Sequence, residues 1–231
     1  MVRKTKRNRT RKRSRTHRGG TSKPYAIVQY DNRELSDDYK KLVERNREYC
    51  KKHNYTHIYV NEGYKEFPPY WRKVALVRNL LKENLYAGIL WLDTDACMYN
   101  MDRRLETFIE DKYHFYKTDD YMDVSEFCAG VWLVMNSETG LKIMDEWLGY
   151  YKMANWRKNN SKNKWNTNAQ WAGPVYEQGA FFTNIIPKYR DVIKDLPRDE
   201  YQATEYKPGV FIVHFIVPFK ERVKDFIKNN Q

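Results

Sequence analysis

The chain has 231 residues and a formal net charge of +12, from 42 Lys and Arg against 30 Asp and Glu. That length suits one good-sized core and is short for two, three cysteines without CxxC spacing argue against a disulfide framework or a zinc site, and no run of 18 apolar residues is present to span a bilayer. Ten of the basic residues and none of the acids fall within residues 1–20, leaving 32 basic against 30 acidic side chains, so a nearly neutral domain carries a separate basic tail.

Residues 1–22 have no apolar periodicity and repel themselves, which predicts a disordered segment. Such a run suits nucleic acid, an acidic membrane surface or an import receptor, and serves equally as a solubilising tail. It is not followed by an apolar stretch of signal-peptide type, so neither a signal peptide nor an anchor is expected. With the unpaired cysteines, this fits a cytoplasmic or otherwise reducing compartment.

From Pro24 the pattern alternates. Tyr25 to Tyr30 reads as a strand, Leu35, Tyr39, Leu42, Val43, Asn46 and Cys50 share one face at helical spacing, and Thr56 to Val60 returns as a second strand. After the break at Pro68-Pro69, a helix is predicted from about Tyr70 to Leu85 with Val74, Val77, Leu81 and Leu85 on its buried stripe. Strand, helix, strand, helix, strand within about 70 residues predicts a Rossmann-like α/β domain with a mostly parallel sheet, here residues 23–231. Phe127 to Met135 is a further apolar strand, and Asn136-Ser137 caps a helix with Leu141, Met144, Trp147, Leu148 and Tyr151 inward. Residues 155–174 lack periodicity but hold Trp156, Trp165 and Trp171, poor residues to leave in water, so a functional loop is expected. A short helix from Tyr176, a strand from Val210 to Phe215 and a helix from Phe219 to Asn229 complete the chain.

The stretch with chemistry is Gly88 to Asn100, GILWLDTDACMYN. Gly88 to Leu92 has no polar side chain on either pleat face, as in a strand buried on both sides. Asp93 and Asp95 follow where that strand ends, the place at which open α/β sheets bind ligands. Read as an extended segment, the two carboxylates face the same way with Cα atoms about 6.6 Å apart, able to hold one hard cation. A turn with capping acids would show the same three letters. Tyr30 and Asp31, ending the first strand, are placed to read a nucleobase or ribose, and are equally ordinary turn residues.

Four segments in order resemble the galactosyl-, mannosyl- and xylosyltransferase family 34: PYWRKVALVRNLLKENLYAGILWLDTDACMYNM, CAGVWLVMNSETGLKIMDEW, YEQGAF and VHF. The resemblance implies a GT-A fold, a nucleotide-sugar donor of the UDP-galactose, GDP-mannose or UDP-xylose kind, Mn2+, a glycan or glycoprotein acceptor, and retention of anomeric configuration. It implies Asp93, Asp95 and His214 as metal ligands, Lys73 facing donor phosphate, and Glu177 and Gln178 near the anomeric carbon. By spacing alone Glu177 is a helix-start acid. Trp71 is expected to anchor its helix. After His-Phe the chain departs from the family, with Ile216-Val217-Pro218-Phe219 before Lys220, the position of the family's donor-phosphate lysine. The family's transmembrane stem is absent too, so Golgi residence would need another anchor. Two other classes fit parts of the pattern. One is an inactive adaptor whose basic tail binds nucleic acid or acidic surfaces. The other is a nucleotidyltransferase, against which stands the lack of a GxxxxGK or GxGxxG loop.

Overall fold

The computed structural model describes residues 23–121, 125–159 and 164–230. The basic segment 1–22, expected to be disordered, lies outside them, as do residues 160–163 of the Trp-rich stretch. In chain order the strands and helices begin β1 (Ala26–Tyr30), α1 (Asp37–His53), β2 (Thr56–Val60), α2 (Pro69–Glu83), β3 (Gly88–Leu92), β4 (Ala96–Met98), β5 (Phe115–Lys117) and β6 (Val131–Met135). They continue with α3 (Glu138–Gly149), β7 (Arg157–Asn159), β8 (Lys164–Asn166), α4 (Glu177–Ala180), α5 (Ile186–Tyr189), β9 (Ile193–Asp195), α6 (Arg198–Tyr201), β10 (Gln202–Ala203), β11 (Ile212–His214) and α7 (Arg222–Asn229).

Local chemistry sets the helix ends. Ser36 and Ser137 cap α1 and α3 by accepting from Tyr39 N and Gly140 N, and Pro69 occupies the first turn of α2. Asn84 takes the left-handed conformation at φ 56° and ends α2 at Glu83. Leu85 therefore falls beyond the helix and is 57% exposed, which corrects its place on the buried stripe.

Six strands form one sheet in the order β2-β1-β3-β6-β5-β9. β1 runs parallel to β2 and β3, and β5 parallel to β9, whereas β6 is antiparallel to both its neighbours. The sheet is thus mostly parallel with a reversed strand inside it. Hydropathy does not encode that reversal, because a run buried on both faces reads the same in either direction. Alternation divides the core. Ala26, Val28, Ile89, Trp91, Trp132 and Val134 meet α2 and α3 on one face. Ile27, Leu90, Leu92, Val131 and Leu133 meet Tyr49 and Cys50 of α1 and Ile212 on the other.

A second, three-stranded sheet β10-β11-β4 lies beside the first. β11 pairs antiparallel with β4 in a register that sets His214 opposite Ala96, and Phe215 N donates to Asp95 O at 2.8 Å. One backbone ladder therefore carries His214 to the residue after the second aspartate. The Trp-rich stretch, expected to be irregular, contains the antiparallel β7–β8 pair. No helix among the described residues is long and apolar enough to cross a membrane.

Trp132 is fully buried, with Phe115 stacked at 5.4 Å, Trp91 at 6.2 Å and Trp147 edge-on at 5.2 Å. Trp132→Ala should cost about 3–5 kcal/mol. Urea denaturation would register this as a lowered midpoint at constant slope, and an unmoved midpoint would mean that this aromatic layer does not anchor the core.

Candidate functional site

The Asp93-Thr94-Asp95 segment is a turn, not an extended strand end: Ala96 N donates to Asp93 O at 2.9 Å, and the chain reverses from β3 into β4. The expected side-by-side spacing along an extended strand is replaced by this tighter geometry. Two buried amides hold it. Gln29 Nε2 donates to Asp93 O at 3.4 Å, while Asn46 on α1 donates to Ala96 O at 3.0 Å and accepts from Met98 N at 2.8 Å. Asn46 also donates to Gln29 at 3.2 Å, so β1 and α1 hold the two ends of the turn through one network.

Each acid has its own cationic partner. Asp93 Oδ1 accepts from Lys73 Nζ at 2.7 Å and from the Trp91 indole N–H at 2.8 Å. Lys73 lines the cavity beside the acids but turns its ammonium inward, donating also to Ala129 O at 3.1 Å. Burial would strip its proton, and the charges of Asp93 and Glu177 override this and raise its pKa. Asp95 Oδ1 lies 3.2 Å from His214 Nε2, and Asp95 Oδ2 lies 3.7 Å from Lys220 Nζ. Burial opposes charge on both Asp95 and His214. The hydrogen bond and mutual attraction of the pair nevertheless lower Asp95, and bonds to Asp95 and Cys128 raise His214 to about 10.

Asp93, Asp95 and His214 each offer a ligand atom, and these atoms lie within 4.8 Å of one another. Two carboxylates and an imidazole suit Mn2+ or a similar divalent ion. The proton shared by Asp95 and His214 occupies the place such an ion would take, so binding would release it. Behind the ring, the Gln202 amide lies 2.8 Å from His214 Nδ1 on one side and 2.8 Å from Thr118 Oγ1 on the other. With its amide turned so that the oxygen accepts from Nδ1–H, Nε2 is left as the metal-binding nitrogen.

The other predicted residues surround this centre. Tyr30 lines the cavity and donates from its hydroxyl to Gly63 O at 3.0 Å. Asp31 is buried and accepts from Arg33 Nε at 2.9 Å, Arg33 Nη2 at 2.6 Å and Thr94 Oγ1 at 2.8 Å, so its carboxylate is engaged inside the protein. Glu177 is 4% exposed, with Oε1 3.8 Å from Lys73 Nζ and Oε2 buried without a hydrogen-bond partner; burial raises its pKa. Gln178 accepts from Ala129 N at 3.2 Å and donates to Asp120 at 3.0 Å. Trp71 is wholly buried and donates to Val175 O at 3.0 Å, as an anchor does.

Two adjoining cavities, of about 630 and 240 Å³, share Arg33, Thr94 and Asp95 on their walls. The larger adds Tyr30, Tyr70, Lys73 and Asp93, and the smaller adds Lys220. Sequence reading missed Arg33, whose side chain is three-quarters exposed while its guanidinium is held by Asp31. The short Asp-x-Arg spacing after a strand was the signal available. Gln202 and Gly130 gave none.

The family model described as the galactosyl transferase GMA12/MNN10 family matches residues 26–115. That range takes in Lys73, Asp93 and Asp95, and excludes Glu177, Gln178, His214 and Lys220. No curated protein sequence matches the chain. Among solved structures, a glycosyltransferase involved in glycosylation of the major capsid of PBCV-1 superposes with a TM-score of 0.69 at 15% identity, covering 89% of this chain and 99% of that one. GlyE of Streptococcus pneumoniae gives 0.49 at 12% identity, over 85% and 55% of the two chains. The catalytic domain of Drosophila β1,4-galactosyltransferase 7 gives 0.48 at 14%, over 87% and 79%. At these identities the first likeness establishes the fold.

A Cβ on Gly130 would lie 2.2 Å from Cε1 of His214, so only glycine leaves room for the ring. Gly130→Ala should displace His214 and weaken Mn2+ binding about 10–100-fold, as loss of a group that orients a ligand does. Titration followed by the EPR signal of free Mn2+ measures this, and wild-type affinity would show that His214 is not a ligand.

Proposed function

We propose that this chain, a glycosyltransferase by its family match and its fold, is a metal-dependent retaining enzyme. In this reading it moves a hexose or pentose from a UDP- or GDP-sugar to a glycan hydroxyl. The observation that carries it is the convergence of Asp93, Asp95 and His214, with the two aspartates on the wall of a cavity lined by basic and aromatic side chains. Residues 23–231 form the catalytic domain, and the basic segment 1–22 is an appendage to it.

Asp93, Asp95 and His214 would hold the ion, which supplies Lewis-acid neutralisation of the departing diphosphate. The chain's own groups do the rest. Lys73 holds Asp93 in place from behind, while Arg33 and Lys220 present positive charge on the cavity walls where phosphate charge develops. Tyr30 and Asp31 stand at the nucleoside side, with Asp31 acting through the Arg33 guanidinium that it holds. Glu177 is enclosed behind Lys73, a place from which it stabilises the lysine rather than attacks a sugar. Gln178 is held to Ala129 and Asp120 next to it. This arrangement favours entry of the acceptor on the face the diphosphate leaves, with Glu177 and Gln178 shaping the site around it.

Thermal shifts test the donor. A nucleotide-sugar at 100 times its Kd with Mn2+ should raise Tm by about 5–10 °C, and the shift should vanish with EDTA. Asp95→Ala should abolish both that shift and Mn2+-dependent donor hydrolysis. Near-normal turnover in the variant would remove the metal from the mechanism.

A further inference from the structure

The stretch between α3 and α4 is not needed to complete the metal centre, yet it carries three tryptophans. Trp156 is packed away at 6% exposure, whereas Trp171 is 65% exposed. Water is an unfavourable place for an indole, and Trp171 is held there firmly. Its ring centroid lies 5.1 Å from Tyr70 and 5.0 Å from Tyr176, which are themselves 5.0 Å apart, so three rings meet edge to face. The backbone beneath is fixed as well. Ala172 adopts φ +57°, and a Cβ on Gly179 would lie 2.2 Å from the Gly173 backbone, so this turn is pressed onto α4.

On the same excursion a separate cavity of about 460 Å³ is walled by Asn155, Arg157, Asn166, Thr167 and Asn168. That volume is in the usual range for small-ligand pockets, about 300–1,000 Å³. Its lining is rich in amides and hydroxyls with one guanidinium and no carboxylate, a set that donates to and accepts from neutral hydroxyl groups. Among the described residues, the indole N–H groups of Trp156 and Trp165 are buried without a hydrogen-bond partner. Tyr70, which packs against Trp171, and Trp165, the residue before Asn166, line the cavity of the metal centre.

We infer that Trp171 with Tyr70 and Tyr176, and the cavity walled by Asn155, Arg157, Asn166, Thr167 and Asn168, form a saccharide subsite in which Trp171 stacks on the C–H face of a pyranose and the amide-walled cavity takes the hydroxyls of an adjoining sugar unit. The occupant is the glycan that receives the transferred sugar, so the assignment of its role rests on the transfer reading above. A pyranose has an apolar face and a polar edge, and the exposed indole and the neutral amides of the same excursion offer a partner for each.

Saturation-transfer NMR tests the subsite with lactose, α-1,2-mannobiose and xylobiose as probes, each at millimolar concentration with Mn2+ and UDP present. At least one disaccharide should receive saturation at its ring C–H protons. Trp171→Ala should weaken that binding about tenfold, and the Asn166→Ala/Asn168→Ala double variant should weaken it similarly. Both variants should bind Mn2+ as the wild type does, which separates loss of the subsite from loss of the fold. Absence of signal from every disaccharide, or an unaltered signal in Trp171→Ala, would overturn the assignment. Binding of nucleotide without saccharide sinks the subsite alone, and binding of saccharide without nucleotide sinks the transfer reading while the subsite stands.

Discussion

Two carboxylates at the end of a strand buried on both faces repel each other, and the architecture around them supplies compensating charge from distant parts of the chain. Lys73 answers Asp93 from α2, and His214 and Lys220 answer Asp95 from β11 and the turn after it. Removing one partner of a buried pair costs about 3–5 kcal/mol, because the other charge is left behind. Lys73 balances Glu177 as well, so this single ammonium joins α2, β3, the start of α4 and the backbone at Ala129. A structure that concentrates its balancing charges in this way leaves Asp95 and His214 facing each other across a proton, the arrangement that a divalent cation would replace.

Precision at that point comes from backbone pairing more than from loops. The β4–β11 register sets His214 opposite Ala96, the Asp93 turn is closed by its own Ala96 amide, and Gln29 with Asn46 holds both sides of the turn. Trp91 links the core to the chemistry, since its ring packs near Trp132 while its N–H fixes Asp93. The parts that would meet a variable ligand lie on longer connections outside this frame: Arg33 after β1, Lys220 after β11, and the excursion from Met153 to Tyr176. Rigid strands position the shared chemistry and the connections are free to set the substrate.

What could be read from the sequence follows from the range of each interaction. The apolar runs of β1, β3 and β6 and the Ser137 cap are local patterns that the structure keeps, whereas the paired aspartates sit on a turn and not on an extended strand end. The reversed direction of β6 leaves no trace in hydropathy, and the left-handed Asn84 that exposes Leu85 ended the helix two residues before the helical period did. β7 and β8 are three residues each and almost wholly polar, below what periodicity can resolve. Gln202 and Gly130 matter only because the fold brings them against His214 from positions 12 and 84 residues away in sequence.

The chemistry of the site turns on one cation. Anomalous diffraction at the manganese edge, from crystals grown with Mn2+ and UDP, measures its position directly. A single peak within coordination distance of the Asp95 carboxylate and His214 Nε2, with Asp93 beside it and the diphosphate oxygens completing the shell, is the predicted result. A diphosphate bound without a metal peak there, or manganese found elsewhere with Asp95 and His214 still paired, would contradict it.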